Sequence, residues 1–205
     1  MHGDRGFSLV ELSVVVAIIG LLMAIGFPSF QTWLRNVQIR NAAESLQNGL
    51  QFARMEALRR NERVSFWMVS STNPRILDDG CLRSADGVSW VVSRDNPASA
   101  CAAEVSETVV PRIIQKKAGG EGSPDVTVGA ADAGGAATSC ITFNGFGRIE
   151  TACADAAASQ PLARVVFASA QADANVRNLE VRVSAGGLIR MCDPAVSAAS
   201  DPRKC

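Results

Sequence analysis

The feature that most constrains this chain is a long apolar segment close to its N-terminus. From Phe7 to Phe30 the sequence is almost entirely apolar and contains one charged residue, Glu11. A run of more than about 18 apolar residues predicts a membrane-spanning helix. A carboxylic acid inside such a segment costs about 2.5–3.5 kcal/mol on insertion scales, so Glu11 is expected to have a partner.

Two other interpretations of this segment explain less of it. A secretory signal peptide has an apolar region of about 7–15 residues that ends at a small-residue cleavage site. Here the apolar run is longer, and no Ala-x-Ala site directly follows it. Ser8 and Glu11 also fit a capping box, with Phe7 and Leu12 as its hydrophobic staple. A capping box predicts where the helix begins, but not why it begins inside an apolar segment.

A short motif leads into the apolar segment. Its sequence, GFSLVE at residues 6–11, resembles the processing motif of type IV prepilins. The resemblance implies that a prepilin peptidase cleaves after Gly6 on the cytoplasmic face, and that the new terminus, Phe7, is N-methylated. It also implies that Glu11 meets the terminal amine of a neighbouring subunit in a filament. The carboxylate would then gain a cationic partner only on assembly.

The helix is predicted to continue beyond the membrane. Apolar residues recur every three or four positions up to Asn61, which is typical of one face of an amphipathic helix. Pro28 is expected to kink the helix, because proline lacks the backbone N–H. A helix from Ser8 to Asn61 would be roughly 80 Å long. The residues of the apolar face are Ile39, Ala42, Leu46, Leu50, Ala53 and Ala57.

After Asn61 the sequence is typical of short strands. The last two strand-like segments flank Ala185-Gly186-Gly187, a hairpin signal, and the whole pattern favours an antiparallel sandwich. The Gly/Ala-rich stretches 118–139 and 154–160 are predicted to be loops. Strands are predicted at 64–70, 88–93, 108–116, 125–128, 140–149, 162–169, 178–184 and 188–191. We expect Trp67, Trp90, Phe143 and Phe146 to lie in the core.

The predicted fold class is therefore α+β, with a long N-terminal helix packed on a C-terminal antiparallel β-sandwich. The first half of that helix is predicted to be transmembrane. We divide the chain into a leader (1–6), a transmembrane or filament-core helix (7–30), an amphipathic continuation (31–62) and a β-rich periplasmic domain (63–205).

Six cysteines follow the apolar segment, and their even number after a membrane anchor predicts disulfides in an oxidising compartment. A zinc site is poorly supported, because the cysteines form no Cys-x-x-Cys motif and no histidine lies near them. Six cysteines allow 15 connectivities. Sequential pairing closes the shortest loops and is favoured: Cys81 with Cys101, Cys140 with Cys153, and Cys192 with Cys205.

Several segments together carry a wider resemblance. These are residues 40–44, 50–57, 60–64, 87–92, 143–147 and 187–194. They resemble H-type pseudopilins (GspH) and FimT/FimU-type minor pilins. The resemblance implies a pilin-like fold in which the long helix carries two small antiparallel sheets. It also implies assembly at or near the tip of a type IV pilus, or in a type II secretion pseudopilus.

The same resemblance implies location and partners. The chain would cross the inner membrane once, expose its C-terminal domain to the periplasm, and then enter a filament. Its partners would be the prepilin peptidase and other minor and major pilins or pseudopilins. The pilus is favoured, because H-type pseudopilins are usually cysteine-poor and the Cys192–Cys205 loop resembles that of type IV minor pilins. Pseudopilin H remains the alternative.

A third role, DNA binding for natural transformation, has weaker support. Some FimT-type pilins carry a basic Gly-Arg-x-Arg turn, and here Gly187-Leu188-Ile189-Arg190 keeps only the last arginine. Other basic residues could rebuild a patch, since phosphate contact requires charge rather than base readout. Nearby acids dilute that patch, so an ordinary solvated strand edge is favoured. The candidate residues are Arg177, Arg182, Arg190, Arg203 and Lys204.

An enzymatic role is not predicted. The single histidine, His2, lies in the leader, so processing would remove the basis of a histidine triad or a histidine-ligated metal site. Lys116-Lys117 beside Gly119-Gly120 lacks the spacing of a P-loop. We therefore expect no catalytic residue, no cofactor and no metal.

Overall fold

The computed structural model of the chain describes residues 8–120, 122–153, 160–171 and 173–205. A single long helix, α1 (Leu9–Arg60, 52 residues), begins after Ser8. The Ser8 side chain accepts the backbone N–H of Glu11 at 3.1 Å, as a capping residue does. The helix ends at Asn61, which adopts a left-handed conformation with φ 51°. The predicted limits of the helix are confirmed to within one residue.

In the described part of the chain, nine strands follow the helix and form two antiparallel sheets. The strands are β1 (Val64–Ser70), β2 (Leu82–Arg83), β3 (Ser89–Ser93), β4 (Ile113–Lys117), β5 (Val126–Ala131), β6 (Cys140–Phe143), β7 (Arg164–Ser169), β8 (Leu179–Val183) and β9 (Ile189–Cys192). The first sheet has the order β2-β1-β3-β4, and β6 also pairs with β1. The second has the order β5-β7-β8-β9. The predicted α+β class, a long helix followed by antiparallel sheets, is confirmed.

The main core forms where the second half of α1 packs on both sheets. Five of the six predicted apolar-face residues are buried, and the sixth, Ala42, is half-buried beside a fully buried Ala43. Phe66 and Met68 of the first sheet, and Phe167 and Val181 of the second, pack into the same cluster. This burial explains why the amphipathic pattern begins near Ile39.

The outer face of the first sheet carries a second core. Trp67 and Val69 alternate with Phe66 and Met68 along β1. They point to this outer face, because successive strand side chains point to opposite faces of a sheet. Four cysteines pack there with them. Both faces of β1 are therefore covered, and its first six residues are buried. The cysteines of this cluster are Cys81, Cys101, Cys140 and Cys153.

The six cysteines form three disulfides with the favoured sequential pairing. Their Cα–Cα distances are 6.1 Å, 6.1 Å and 5.1 Å. The first two bridges lie in the second core, and the third connects β9 to the last residue of the sequence. The pairs are Cys81–Cys101, Cys140–Cys153 and Cys192–Cys205.

Some expectations were wrong. The predicted core residue Phe146 is 79% exposed. It lies in a turn after β6, where Asn144 Oδ1 accepts the N–H groups of Phe146 and Arg148, so the strand alternation stops at Phe143. Within the stretch 118–139, β5 extends three residues beyond the strand predicted at 125–128, because Gly129, Ala130 and Ala131 have low β propensity. The short strand β2 was missed, and most of the predicted loop 154–160 lies outside the described residues.

Gly49 provides a test of how tightly α1 packs on the first sheet. A Cβ at this position would lie 2.8 Å from a Phe66 ring carbon and 2.9 Å from a Trp90 ring carbon. Although alanine favours helix by about 1 kcal/mol over glycine, Gly49→Ala is expected to lower the free energy of unfolding by about 1–3 kcal/mol through overpacking. Urea unfolding of the full chain measures this change.

The control for this prediction is Gly20→Ala in the same helix. A Cβ at Gly20 would have no neighbour within 4 Å. This variant is expected to leave the unfolding midpoint of the domain unchanged. Equal midpoints for the Gly49 and Gly20 variants would contradict the packing described here.

Candidate assembly site

The first part of α1 extends away from the sheets with its apolar side chains exposed. In the described residues α1 is bent by 42° between Leu9–Ala24 and Ser29–Arg60, and neither of these segments alone is long and apolar enough to cross a membrane. The two segments together satisfy the length and composition criterion. Exposed apolar residues of this part include Leu9, Val10, Leu12, Val14, Val15, Val16, Ile18, Ile19, Leu21, Leu22, Met23, Phe27 and Phe30.

Glu11 lies in the first turn of this exposed segment. Its backbone N–H is capped by Ser8. Its carboxylate has no ion pair with any residue that the structure describes. An acid near a helix N-terminus interacts favourably with the helix dipole, but this effect is worth only about 0.3–1 kcal/mol at exposed positions. Gly6 and Phe7, the predicted processing residues, lie outside the described residues.

The domain holds α1 firmly from about residue 32 onwards. Thr32 Oγ1 donates to Asp173 Oδ2 at 2.8 Å, and Arg35 Nη1 donates to the same oxygen at 3.1 Å. The backbone N–H of Arg177 donates to Asn36 Oδ1 at 2.8 Å. These contacts begin just after the last exposed apolar residue of the segment, Phe30, so α1 divides into a free apolar part and a packed part.

The helix contact at Asp173 is expected to depend on pH. The N–H of Asn175, the Thr32 hydroxyl and the Arg35 guanidinium lower the pKa of Asp173 below its ordinary value. A lowered folded-state pKa adds stability above the unfolded-state pKa of about 3.9, and this stability is lost as pH falls through the folded value. Amides of residues 32–38 should therefore lose protection, measured relative to their intrinsic exchange rates, below about pH 4.

Asp173→Asn is expected to show reduced protection of the amides of residues 32–38 already at pH 6, with little further loss of protection on acidification. Asp86→Asn, at an exposed position elsewhere in the domain, is the control and should behave like the unmodified chain. Hydrogen exchange followed by mass spectrometry measures both. If the amides of residues 32–38 still lost protection on acidification in Asp173→Asn, the pH dependence would belong to another titratable group.

The candidate DNA-binding residues are only partly brought together. Arg182 and Arg190 both donate to the backbone oxygen of Cys205, each at 2.9 Å. Arg182 also pairs with the buried Glu180 at 2.8 Å. The side chains of Arg182 and Arg190 therefore already have hydrogen-bond acceptors within the chain.

The remaining candidates lie close to the end of the sequence or on the loop before β8. Arg203 pairs with Asp201 at 2.7 Å, and this contact lowers the pKa of Asp201 to about 2. Lys204 forms a backbone bridge with Asp193. The exposed Arg177 lies beside α1. Acidic neighbours thus compensate part of the positive charge, as the sequence suggested.

A cavity of about 450 Å³ lies between α1 and the β8–β9 hairpin. Trp33 and Arg40 contribute to it from α1, and Trp33 was not singled out in the sequence. The signal that could have identified Trp33 is its position three residues after the apolar segment. The lining also includes Asn36, Val37, Arg177, Leu179, Met191, Cys192, Asp193 and Arg203.

Comparison with known families agrees with this architecture. The family model described as Type II transport protein GspH matches residues 42–187. The chain belongs to the GspH family. A second model, the prokaryotic N-terminal methylation motif, matches residues 1–27. The predicted resemblance to pilin-like proteins is confirmed, and membership of the GspH family places the chain among structural pilin-like subunits.

Curated relatives of this GspH-family chain include fimbrial proteins. A fimbrial protein of Moraxella nonliquefaciens is 31% identical over 99 residues, 48% of this chain and 55% of that protein. A fimbrial protein of Pseudomonas aeruginosa is 35% identical over 37% of this chain and 46% of that protein. Prepilin peptidase-dependent protein D of Escherichia coli is 42% identical over 22% of this chain and 31% of that protein. The chain spans about half the length, or less, of these relatives.

A solved structure is also similar to this GspH-family chain. It is the type IV minor pilin FimU of Pseudomonas aeruginosa, with a TM-score of 0.43 and 16% identity. The similarity covers 78% of this chain and 99% of FimU.

Proposed function

We propose that the chain is a minor pilin, incorporated into a type IV pilus in its tip or initiation complex, where it supports assembly. The observation that carries the proposal is the exposed apolar half of α1 with its single carboxylate, Glu11. Such a surface must be covered by other apolar groups, because apolar area exposed to water costs about 25 cal/mol per Å². A membrane covers it first, and the helices of other pilins cover it in the filament.

We propose the following maturation for the chain. The leader, residues 1–6, is removed by a prepilin peptidase between Gly6 and Phe7, and Phe7 is then methylated. Residues 7–30 cross the inner membrane once, residues 31–62 continue the helix, and residues 63–205 form the periplasmic domain. The methylation-motif match to residues 1–27 supports this order of events.

In the filament, Glu11 pairs with the terminal amine of a neighbouring subunit. An ionised carboxylate in an apolar environment is strongly destabilising unless it is paired. The lack of an ion pair for Glu11 among the described residues supports a partner from outside the chain. Pairing on assembly thus favours transfer of the subunit from the membrane into the filament.

Two alternatives use the same architecture. As pseudopilin H, the chain would act in type II secretion, which the description of the matching family favours. As a DNA-binding minor pilin it would need an accessible basic surface. The contacts of Arg182 and Arg190 with Cys205, and of Arg203 with Asp201, make this role less favourable. A histidine-based catalytic site is not proposed, since the proposed processing would remove the only histidine of the sequence.

Deletion of the gene in its source organism tests the proposal. We expect surface filaments to be lost, protein secretion to be normal, and both to be restored by the unmodified gene. Normal filaments with failed secretion would instead assign the chain to type II secretion. Normal filaments with failed DNA uptake would assign it to transformation.

A further inference from the structure

The cavity between α1 and the β8–β9 hairpin combines apolar walls with cationic side chains. Trp33 and Val37 form the helix side of the apolar wall, and Leu179 and Met191 form the opposite side. Trp33 is 58% exposed, an unusual degree for an indole that does not contact a partner. The cavity can therefore accept a ligand that has both apolar and charged parts.

Two guanidinium groups in the lining are candidates for binding an anion. Within the described part of the chain, the side chains of Arg40 and Arg177 have no ion pair or hydrogen bond. Arg203 is held by Asp201 at 2.7 Å. Asp193, the carboxylate in the lining, is largely buried, and its Oδ1 accepts the N–H of Ala195 at 2.9 Å. Even with Asp193 counted, the lining keeps an excess of positive charge.

The position of the cavity along α1, relative to the end of the apolar segment at Phe30, indicates which class of anion can reach it. Trp33 lies three residues beyond Phe30, and the Arg177 backbone is hydrogen-bonded at the level of Asn36. At 1.5 Å per residue Trp33, Asn36 and Arg40 lie about 5 Å, 9 Å and 15 Å beyond Phe30 along the helix axis. The 42° bend of α1 and the length of the arginine side chains bring the guanidinium groups closer to the membrane than these axial distances. The headgroup region of a bilayer adds about 5–8 Å to each side of the hydrocarbon core. Tryptophan is also enriched at this level of membrane proteins.

We propose that this cavity binds the headgroup phosphate of an anionic phospholipid in the periplasmic leaflet of the membrane. Arg40 and Arg177 contact the phosphate, since guanidinium groups match phosphate oxygens in a planar, two-pronged geometry. Trp33, Val37 and Met191 contact the glycerol and the upper acyl chain. The bound lipid orients the domain on the membrane before the subunit enters a filament. This inference rests on the membrane-anchored stage of the proposed function.

Contact quenching of Trp33 tests the proposal with the full chain. The chain is reconstituted into phosphatidylcholine vesicles that contain phosphatidylglycerol, with bromine on the upper acyl chain of one lipid or the other. Trp67 and Trp90 are 0% and 4% exposed, so quenching reports mainly on Trp33. At equal mole fractions of brominated lipid, we expect brominated phosphatidylglycerol to be enriched about fivefold at Trp33.

A charge-matched pair of variants separates a specific site from general attraction. The double variant Arg40→Gln/Arg177→Gln is expected to remove the enrichment of phosphatidylglycerol at Trp33. The control double variant Arg75→Gln/Arg148→Gln removes the same charge away from the cavity, and should leave the enrichment intact. Equal quenching by both lipids in the unmodified chain would overturn the proposal, and so would equal losses in the two double variants.

Two further arms complete the test. Excess inorganic phosphate should not remove the preference, and complete removal would assign the cavity to free anions instead of lipid. Flotation of the vesicles reports whether the chain is anchored at all. Flotation without lipid preference would overturn this inference alone, whereas a chain that does not float would also overturn the membrane stage of the proposed function.

Discussion

Glu11→Ala is expected to remove the chain from filaments while it still enters the membrane. The substitution deletes the only charge in the exposed apolar segment, so membrane insertion becomes easier. In the filament, however, the amine of the neighbouring subunit loses its partner. Leaving one member of a buried ion pair alone costs about 3–5 kcal/mol, which lowers incorporation at least about 100-fold.

The measurement compares the sheared filament fraction with the membrane fraction by immunoblotting. Mass spectrometry of the membrane fraction should find that the variant chain starts at Phe7, which separates failed assembly from failed processing. Glu44→Ala, at an exposed position in the packed half of α1, is the control and should assemble normally. Normal incorporation of the Glu11 variant would refute the proposed pairing.

Phe143 and Phe146 are expected to differ sharply in their contribution to stability. Phe143, in β6, is fully buried in the main core, whereas Phe146, three residues later, is 79% exposed. Phe143→Ala should therefore lower the free energy of unfolding by about 3–5 kcal/mol, through lost burial and the cavity left behind. Phe146→Ala should change it by no more than about 0.5 kcal/mol.

Urea unfolding followed by near-ultraviolet circular dichroism measures both variants, and each acts as the control for the other. The comparison is informative because the sequence pattern alone placed both rings in the core. Similar losses in the two variants would mean that the turn after β6 packs differently from the structure described here. A filament defect in the stable Phe146 variant would reveal a subunit contact at this exposed ring.

Much of the architecture could be predicted, because it depends on local chemistry. The helix limits follow from the capping of Ser8 and the left-handed Asn61. The Val, Phe and Trp content of β1 predicts a strand by itself. In contrast, the two residues of β2 are too few to show a period, so its strand character depends on pairing with β1.

The candidate sites divide in the same way. The motif that contains Gly6, Phe7 and Glu11 is contiguous, so a single sequence suffices to propose processing and assembly. The cavity is different, because Trp33 and Arg40 meet Arg177 only when β8 and β9 pack against α1. No spacing rule connects residues that are so far apart in the sequence.

The sequence by itself determined the apolar helix with its lone acid, the processing motif and the α+β class, because each depends on neighbouring residues and their periodicity. The tertiary structure decided that Phe146 faces solvent, that Gly49 must stay small against Phe66 and Trp90, and that Arg40 and Arg177 share a cavity with Trp33. These outcomes depend on the order in which strands pair and on how the sheets pack against α1. Such long-range contacts are not encoded in any local pattern.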